Sequence, residues 1–346
     1  MLRAMSLALF LSLLLAPARA EEPLSFKDKQ IQLIIGYGAG GTVDLFGRLI
    51  APYLAQGLPG NPTFVARNMP GAEGIVGLNY FVNQTKPDGL ALAVGGATQV
   101  DPLHLGSGHA LYDVGKLALV GGNGRDGTVV VLRAAAAPRL YDKSAEPVVM
   151  GGLAAIRAGM QMPLFGGEFL GWNLRWVLGY KTAKELVLGL QRGEIDMTTI
   201  SDPADVRELK ASGFRLIAQS GYLVEGRLLA RPELGAPLLA DQIKPKLTDP
   251  VARQAYDYWI DFIEIGEFLT LAPGTPAPIV AAYRKAFESA LADPDFRAHL
   301  EATGNSFLPQ SAASLTEIFR TLVDTPPAVL GFMQTMARKQ GLELAN

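Results

Sequence analysis

Ile31-Gln-Leu-Ile-Ile-Gly-Tyr-Gly-Ala-Gly-Gly-Thr-Val-Asp44 is the stretch on which the reading of this chain turns. A short apolar run stops at a cluster of glycines. An amphipathic pattern then starts at once, with Leu45, Leu49 and Tyr53 on one stripe and Arg48 and Gln56 off it. The spacing predicts a strand, a glycine-rich loop and a helix. Glycines let the backbone approach a ligand closely and reach positive φ. The first turn of the helix offers unpaired N–H groups and the positive end of its dipole. Together these make a small anion site, suited to a carboxylate or a phosphate.

The same arrangement recurs downstream. Pro62 to Arg67 reads as a second strand that ends in Asn68-Met-Pro-Gly-Ala-Glu-Gly74. The helix that follows has Ile75, Leu78, Phe81 and Val82 on its apolar side. Lys86-Pro-Asp-Gly89 is a turn signal. Leu90 to Val94 is a third strand and again ends in glycines, Gly95 and Gly96. Strands and helices alternating at this spacing predict parallel, doubly wound sheets, whose ligands sit beyond the carboxyl ends of the strands. A fourth apolar run, Thr128 to Leu132, leads into a loop-like Arg133 to Pro138, where the chain is expected to cross into a second domain. Strands at 148–152, 193–200 and 214–218 and a helix at 184–192 belong there. Helices at 249–263 and 278–291, a strand from Phe268 and a helical tail from Ser314 return to the first domain.

The N-terminus carries Arg3, an apolar run from Met5 to Leu15, and Ala18-Arg19-Ala20 as a small-x-small cleavage signal. These read as a secretory signal peptide over 1–20. The run is too short for a membrane anchor, which needs about 20 apolar residues. No cysteine occurs, so neither lipid attachment to an N-terminal Cys nor a disulfide frame is available. Residues 21–346 are enough for two domains of roughly 100–200 residues each. With 31 basic and 33 acidic side chains, and two of the basic ones inside the leader, the balance argues against nucleic acid and against an anionic membrane surface.

These residues carry a family resemblance. Gly36-Tyr-Gly-Ala-Gly-Gly-Thr-Val-Asp44 with Arg48 resembles the first ligand loop and helix of the Bug-type receptors, the substrate-binding components of tripartite tricarboxylate transporters. Asn68 to Gly74 looks like their second loop, and Lys86-Pro-Asp-Gly-Leu-Ala-Leu92 like their Pro-Asp-Gly turn and following strand. Gly179-Tyr-Lys181 and Leu190-x-x-Gly-Glu-Ile-Asp196 are similar to the second-domain helix and strand. Leu271-Ala-Pro-Gly-Thr-Pro276 with Ala290 to Asp295 resembles the C-terminal segment. The resemblance implies an α/β, two-lobed periplasmic binding protein of type II, a Venus flytrap. Lobe 1 would hold residues 21–127 and 226–346, and lobe 2 residues 128–225. It also implies a non-enzymatic, unlipidated periplasmic monomer that closes over a small organic acid and hands it to membrane permease subunits. No cofactor or metal is expected. The ligand residues implied are Tyr37, Gly38, Ala39, Gly40, Gly41 and Thr42 in the first loop, and Asn68, Gly71, Ala72 and Glu73 in the second. Thr98 would join them in lobe 1, with Gly152 and Thr199 in lobe 2.

Three positions depart from the family pattern. Gly38 and Ala39 stand where prolines are usual, Met69 where a basic residue is usual, and Glu73 where a glycine is usual. Glu73 either faces outward and favours the first turn of its helix, or faces the ligand, which would then carry a positive or neutral group there.

Rival readings are weaker. Gly36-x-Gly38-x-x-Gly41 after a strand also fits a dinucleotide fingerprint, but Arg67 and Asn68 stand where an acid is needed, leaving only an NADP-dependent oxidoreductase as a remote alternative. A periplasmic sensor or interaction protein derived from a receptor is the nearer one. His104 and His109 flank a loop, at poor spacing for a metal, and with His299 are read as surface residues. Asp44 is a cap or first-turn carboxylate. Asp196 orients second-lobe groups or pairs with a neighbour. Trp172 and Trp176, four apart as on one helix face, are read as core, and Thr98, Thr199 and Ser201 as hydroxyl donors at strand ends.

Overall fold

The computed structural model describes residues 23–342, apart from 107, 126, 154–157, 181, 225–226 and 304–305. The leader at 1–20 and Lys181 of the Gly179-Tyr-Lys181 motif lie outside the described residues. The strands are β1 (Gln30–Ile35), β2 (Thr63–Asn68), β3 (Ala91–Gly96), β4 (Ala118–Gly124), β5 (Val129–Leu132), β6 (Val148–Gly152), β7 (Leu174–Leu178), β8 (Met197–Ile200), β9 (Arg215–Gln219), β10 (Tyr222–Val224), β11 (Arg227–Leu229), β12 (Ile265–Leu271) and β13 (Pro309–Ser311). The helices are α1 (Thr42–Gly57), α2 (Ile75–Gln84), α3 (Pro102–Leu105), α4 (Ala158–Phe169), α5 (Ala183–Arg192), α6 (Pro203–Ala211), α7 (Leu239–Ile243), α8 (Pro250–Glu264), α9 (Ala277–Ala292), α10 (Pro294–Ala302), α11 (Ala312–Val323) and α12 (Pro327–Lys339).

Two main sheets form, in the orders β13-β4-β12-β3-β1-β2 and β7-β6-β8-β5-β9, beside a small β10-β11 hairpin. Both are mixed, which corrects the expectation of parallel sheets. β1 pairs in parallel with β2 and β3, but β12 runs antiparallel to β3 and β4. In the second sheet β6, β7 and β8 are parallel, and β5 is antiparallel to β8 and β9. The reason lies in connectivity. β5 leaves β4 for the other sheet after a short link, and β12 runs out of α8 to lie between β3 and β4, so neither pairs with the strand before it through the single helical crossover that makes neighbours parallel.

Three apolar layers hold the molecule. On one face of the first sheet, Leu33, Ile35, Val94 and Leu269 pack against Phe46, Ile50 and Leu54 of α1 and Tyr283 and Phe287 of α9. Each such side chain, fully buried, contributes about 1.5–3 kcal/mol. On one face of the second sheet, Val129, Val131 and Ile200 meet Leu186 and Leu190 of α5 and Val206 and Leu209 of α6. The opposite faces of both sheets share one cluster. It runs from Ile34, Ala93 and Phe268 through Tyr258, Trp259 and Phe262 of α8 to Phe165, Met150 and Met197.

Some local expectations change. The buried stripe of α1 is Val43, Phe46, Ile50 and Leu54, whereas Leu45 is 39% exposed. Both stripes have helical spacing, and only docking on the sheet chose between them. Trp172 and Trp176 do not share a helix. Trp172 lies buried between α4 and β7, and Trp176 is in β7. Arg133 to Pro138 is not an open loop, since Ala134–Arg139 form a 3-10 turn. No helix among the described residues is long and apolar enough to cross a membrane.

Candidate functional site

The loops after β1, β2 and β3 meet at the carboxyl ends of those strands. Gly36 and Gly77 explain how closely. A Cβ on Gly77 would stand 2.7 Å from Gly36 Cα and 3.0 Å from Met69 O, and one on Gly36 would stand 2.9 Å from Gly74 O. Only backbone without side chains fits at this crossing, so the first turn of α2 is laid directly against the start of the first loop. Gln99, 1% exposed, ties in the third loop: its Nε2 donates to Gly74 O at 2.7 Å, and its Oε1 accepts from Gly96 N at 2.9 Å. The Tyr37 ring covers this junction, lying close to Gly74 and Gly96.

The first loop is shaped from below by Asp44, which is 3% exposed. Its Oδ2 accepts the Gly40 N–H at 2.9 Å, while Oδ1 accepts Arg48 Nε at 2.8 Å and Asn68 Nδ2 at 2.8 Å. Asn68 also donates to Tyr37 O at 2.9 Å and accepts from Arg48 Nη2 at 2.8 Å. Burial raises the Asp44 pKa, but the Gly40 amide, Asn68 and Arg48 outweigh it and hold the carboxyl below its usual value. Asp44 is therefore a first-turn carboxylate that reaches back to fix Gly40, whose φ of 81° suits glycine. The side chain of Asn68 is engaged in the same network, so it positions the loop.

Above this network, residues 38–42 are exposed. Gly41 is the N-cap of α1, extended at φ −78° and ψ 167°, with no side-chain cap. No side chain caps the amides at the opening of α1, as an oxyanion would need. In the second loop Ala72 (φ 45°) and Glu73 (φ 53°) both take the left-handed conformation. Glu73 does not occupy the first turn of α2: Gly74, with φ 94°, is the N-cap of α2 and Glu73 precedes it in a 3-10 turn. The glycine that the family resemblance would place there has a backbone reason.

The sequence reading missed Glu267. It sits in β12 between Gly96 of β3 and Asn123 of β4 and is 8% exposed. The Thr42 hydroxyl lies near its carboxyl at the opening of α1. Burial raises its pKa, the charge of Arg125 and the Thr42 hydroxyl oppose the rise, and the net result is a carboxyl pushed up to about 7. A lone acid in an apolar strand pattern was the available signal.

The remaining expected residues are further off in the chain. Thr98 lies in the turn after β3 and is half-buried. Gly152 ends β6, and Thr199 is in β8 opposite Val130 of β5. Ser201 Oγ lies 3.1 Å from Thr128 Oγ1. Asp196 accepts Arg139 Nη2 at 2.9 Å and the Val149 N–H at 3.1 Å, so it pairs with neighbours. His104 is in α3 and faces Asp101 at 3.3 Å, mostly buried, rather than on a surface loop. Among the described residues no group of three or more His, Asp or Glu side chains could hold a metal.

This is the two-lobed fold of periplasmic binding proteins, with an anion-suited opening on one of its sheets. No protein-family model and no curated protein sequence matches the chain. Solved structures do share its fold. A TctC solute-binding protein from Polaromonas, at 19% identity, superposes with a TM-score of 0.64 over 91% of this chain and 100% of its own. The periplasmic binding protein BugD, at 18% identity, gives 0.63 over 91% and 98%. MatC from Rhodopseudomonas palustris with bound malate, at 16% identity, gives 0.62 over 87% and 99%.

Proposed function

We propose that the chain is a periplasmic solute receptor that takes a small carboxylate between its lobes and delivers it to the membrane subunits of a tripartite tricarboxylate-type transporter. The observation that carries this reading is the convergence at Gly36, Gly74 and Gly77, which sets the exposed opening of α1 beside the second loop. Main-chain amides at residues 38–42 other than those of Gly40 and Gly41, which bond within the loop, then bind one carboxylate of the ligand. Malate bound to a structure of the same fold supports a dicarboxylate. Residues 21–127 and 226–346 act as one lobe and 128–225 as the other, with Thr98 on the first lobe and Gly152 and Thr199 meeting the far end of the ligand from the second. Ligand shifts an open–closed equilibrium through contacts made only when closed. The chain acts as a binding protein without catalytic chemistry, and the leader at 1–20 takes it to the periplasm.

The test is a thermal-shift panel of mono-, di- and tricarboxylates, with native mass spectrometry for a co-purified acid. A ligand at one hundred times its dissociation constant stabilises by about 2.7 kcal/mol. Gly41→Val is the decisive variant. A Cβ there meets only Gly38 O at 3.5 Å, so the fold accepts it, while the side chain covers the amides. Absence of a shift with every acid, or unchanged affinity in Gly41→Val, overturns the reading.

A further inference from the structure

A second opening lies away from the glycine loops, where α6 of the second sheet faces α10 of the first. It is a crevice of about 530 Å³ into which Arg207 of α6, Arg231 of the linking segment and Arg297 of α10 all open. A neighbouring cavity of about 500 Å³ shares Arg207 and Arg231 with it. None of the thirteen expected ligand residues lines either one.

The guanidinium groups are held by rings and by neutral partners as much as by acids. Arg231 lies over the Tyr222 ring at 5.5 Å from its centroid, and its Nη2 donates to Ser306 Oγ at 3.3 Å. Burial, partly offset by Glu233, lowers its pKa, so the folded protein carries this cation at a cost. Arg297 lies over the Phe307 ring at 5.2 Å, and its Nε donates to Glu301 Oε1 at 2.9 Å. Arg207 has no hydrogen-bond or ion-pair partner among the described residues. The acids of the lining, Glu233 and Glu301, leave an excess of one positive charge. Planar forks held in place by ring faces suit the paired oxygens of an oxyanion.

We propose that this crevice is a second anion site, separate from the glycine loops, and that it takes a small dianion of the phosphate or dicarboxylate kind. The anion bridges Arg207 to Arg231 and Arg297, and so ties α6 to α10. Because these helices pack on different sheets, the bound dianion favours the arrangement that holds the two together.

Isothermal titration at low ionic strength with inorganic phosphate and with succinate, on the purified Gly41→Val protein whose glycine loop is covered, tests this. One-to-one saturable binding of either dianion is expected. Arg207→Ala and Arg297→Ala, both at exposed positions, weaken it by about tenfold each. Lys285→Ala, in an unrelated cavity, leaves it unchanged. Failure of both dianions to bind saturably overturns the proposal. So does binding that survives both arginine variants. Binding seen in the wild type but absent from the Gly41→Val protein also overturns it, while leaving the glycine-loop site standing.

Discussion

The Thr42 hydroxyl lies beside the Glu267 carboxyl at the opening of α1, near enough to favour its charged form. An acid of the protein's own thus stands beside the amides offered to a ligand's acid. Its pKa is raised from the ordinary 4.5 to about 7, first because burial disfavours the charge, with Arg125 and Thr42 only partly compensating. The stability that neutral Glu267 contributes is complete below pH 4.5 and is lost as pH rises through about 7. Glu267→Gln should remove that loss, on the order of 3 kcal/mol between pH 4.5 and pH 8. Asp261 and Glu264 on α8 are also raised, to about 6 and about 7, so they titrate in the same window. Chemical denaturation of the variant and the wild type at pH 4.5 and pH 8 isolates the Glu267 part. Equal pH slopes in the two proteins would remove Glu267 from the account.

Ligand affinity should follow the same group. Ionised Glu267 repels a carboxylate placed on α1, so wild-type affinity for a dicarboxylate falls between pH 6 and pH 8. In Glu267→Gln it stays flat. Titration calorimetry at the two pH values reads this, and a parallel fall in both proteins would contradict it.

Gly77→Ala drives a methyl group into Gly36 Cα at 2.7 Å and Met69 O at 3.0 Å. Backbone must move, at about 1–3 kcal/mol. The two loops separate, so carboxylate affinity drops along with the denaturation midpoint. A stable variant with full affinity would show that the close crossing does not matter.

Glu73→Gly should stabilise. The left-handed conformation at φ 53° costs an L-residue energy that glycine avoids, and the net gain after the entropy of the unfolded chain is about 0.5–1 kcal/mol. A lower denaturation midpoint would mean that the contacts of the Glu73 side chain outweigh its backbone strain.

Asp44→Ala leaves the Gly40 amide, Asn68 and Arg48 without their shared acceptor. The expected loss is about 2–3 kcal/mol, since hydrogen bonds to a buried charge are involved. Because its pKa is lowered from 3.8, the Asp44 contribution is present above that value and is lost as pH falls through the folded one. Acid titration of the wild type against the variant checks both statements.

Local physics made the strand, loop and helix at 31–57 legible, because glycine clusters and helical periodicity act within a few residues. The same holds for β3 and its glycines, for α5, and for α8 with Ala252, Tyr256 and Trp259 on its buried face. The sequence also placed Asp44 in the first turn of α1. It did not show which stripe of α1 is buried, because Leu45 and Phe46 are equally apolar and only the sheet beneath α1 selects one. The antiparallel settings of β5 and β12 were equally hidden, since strand direction depends on where the chain has been rather than on its composition. Glu267 reaches Thr42, and Arg207 reaches the crevice shared with Arg297, only because distant segments are stacked by the two sheets. Pairing of that kind is a property of burial summed over the whole molecule, and no short window of residues contains it.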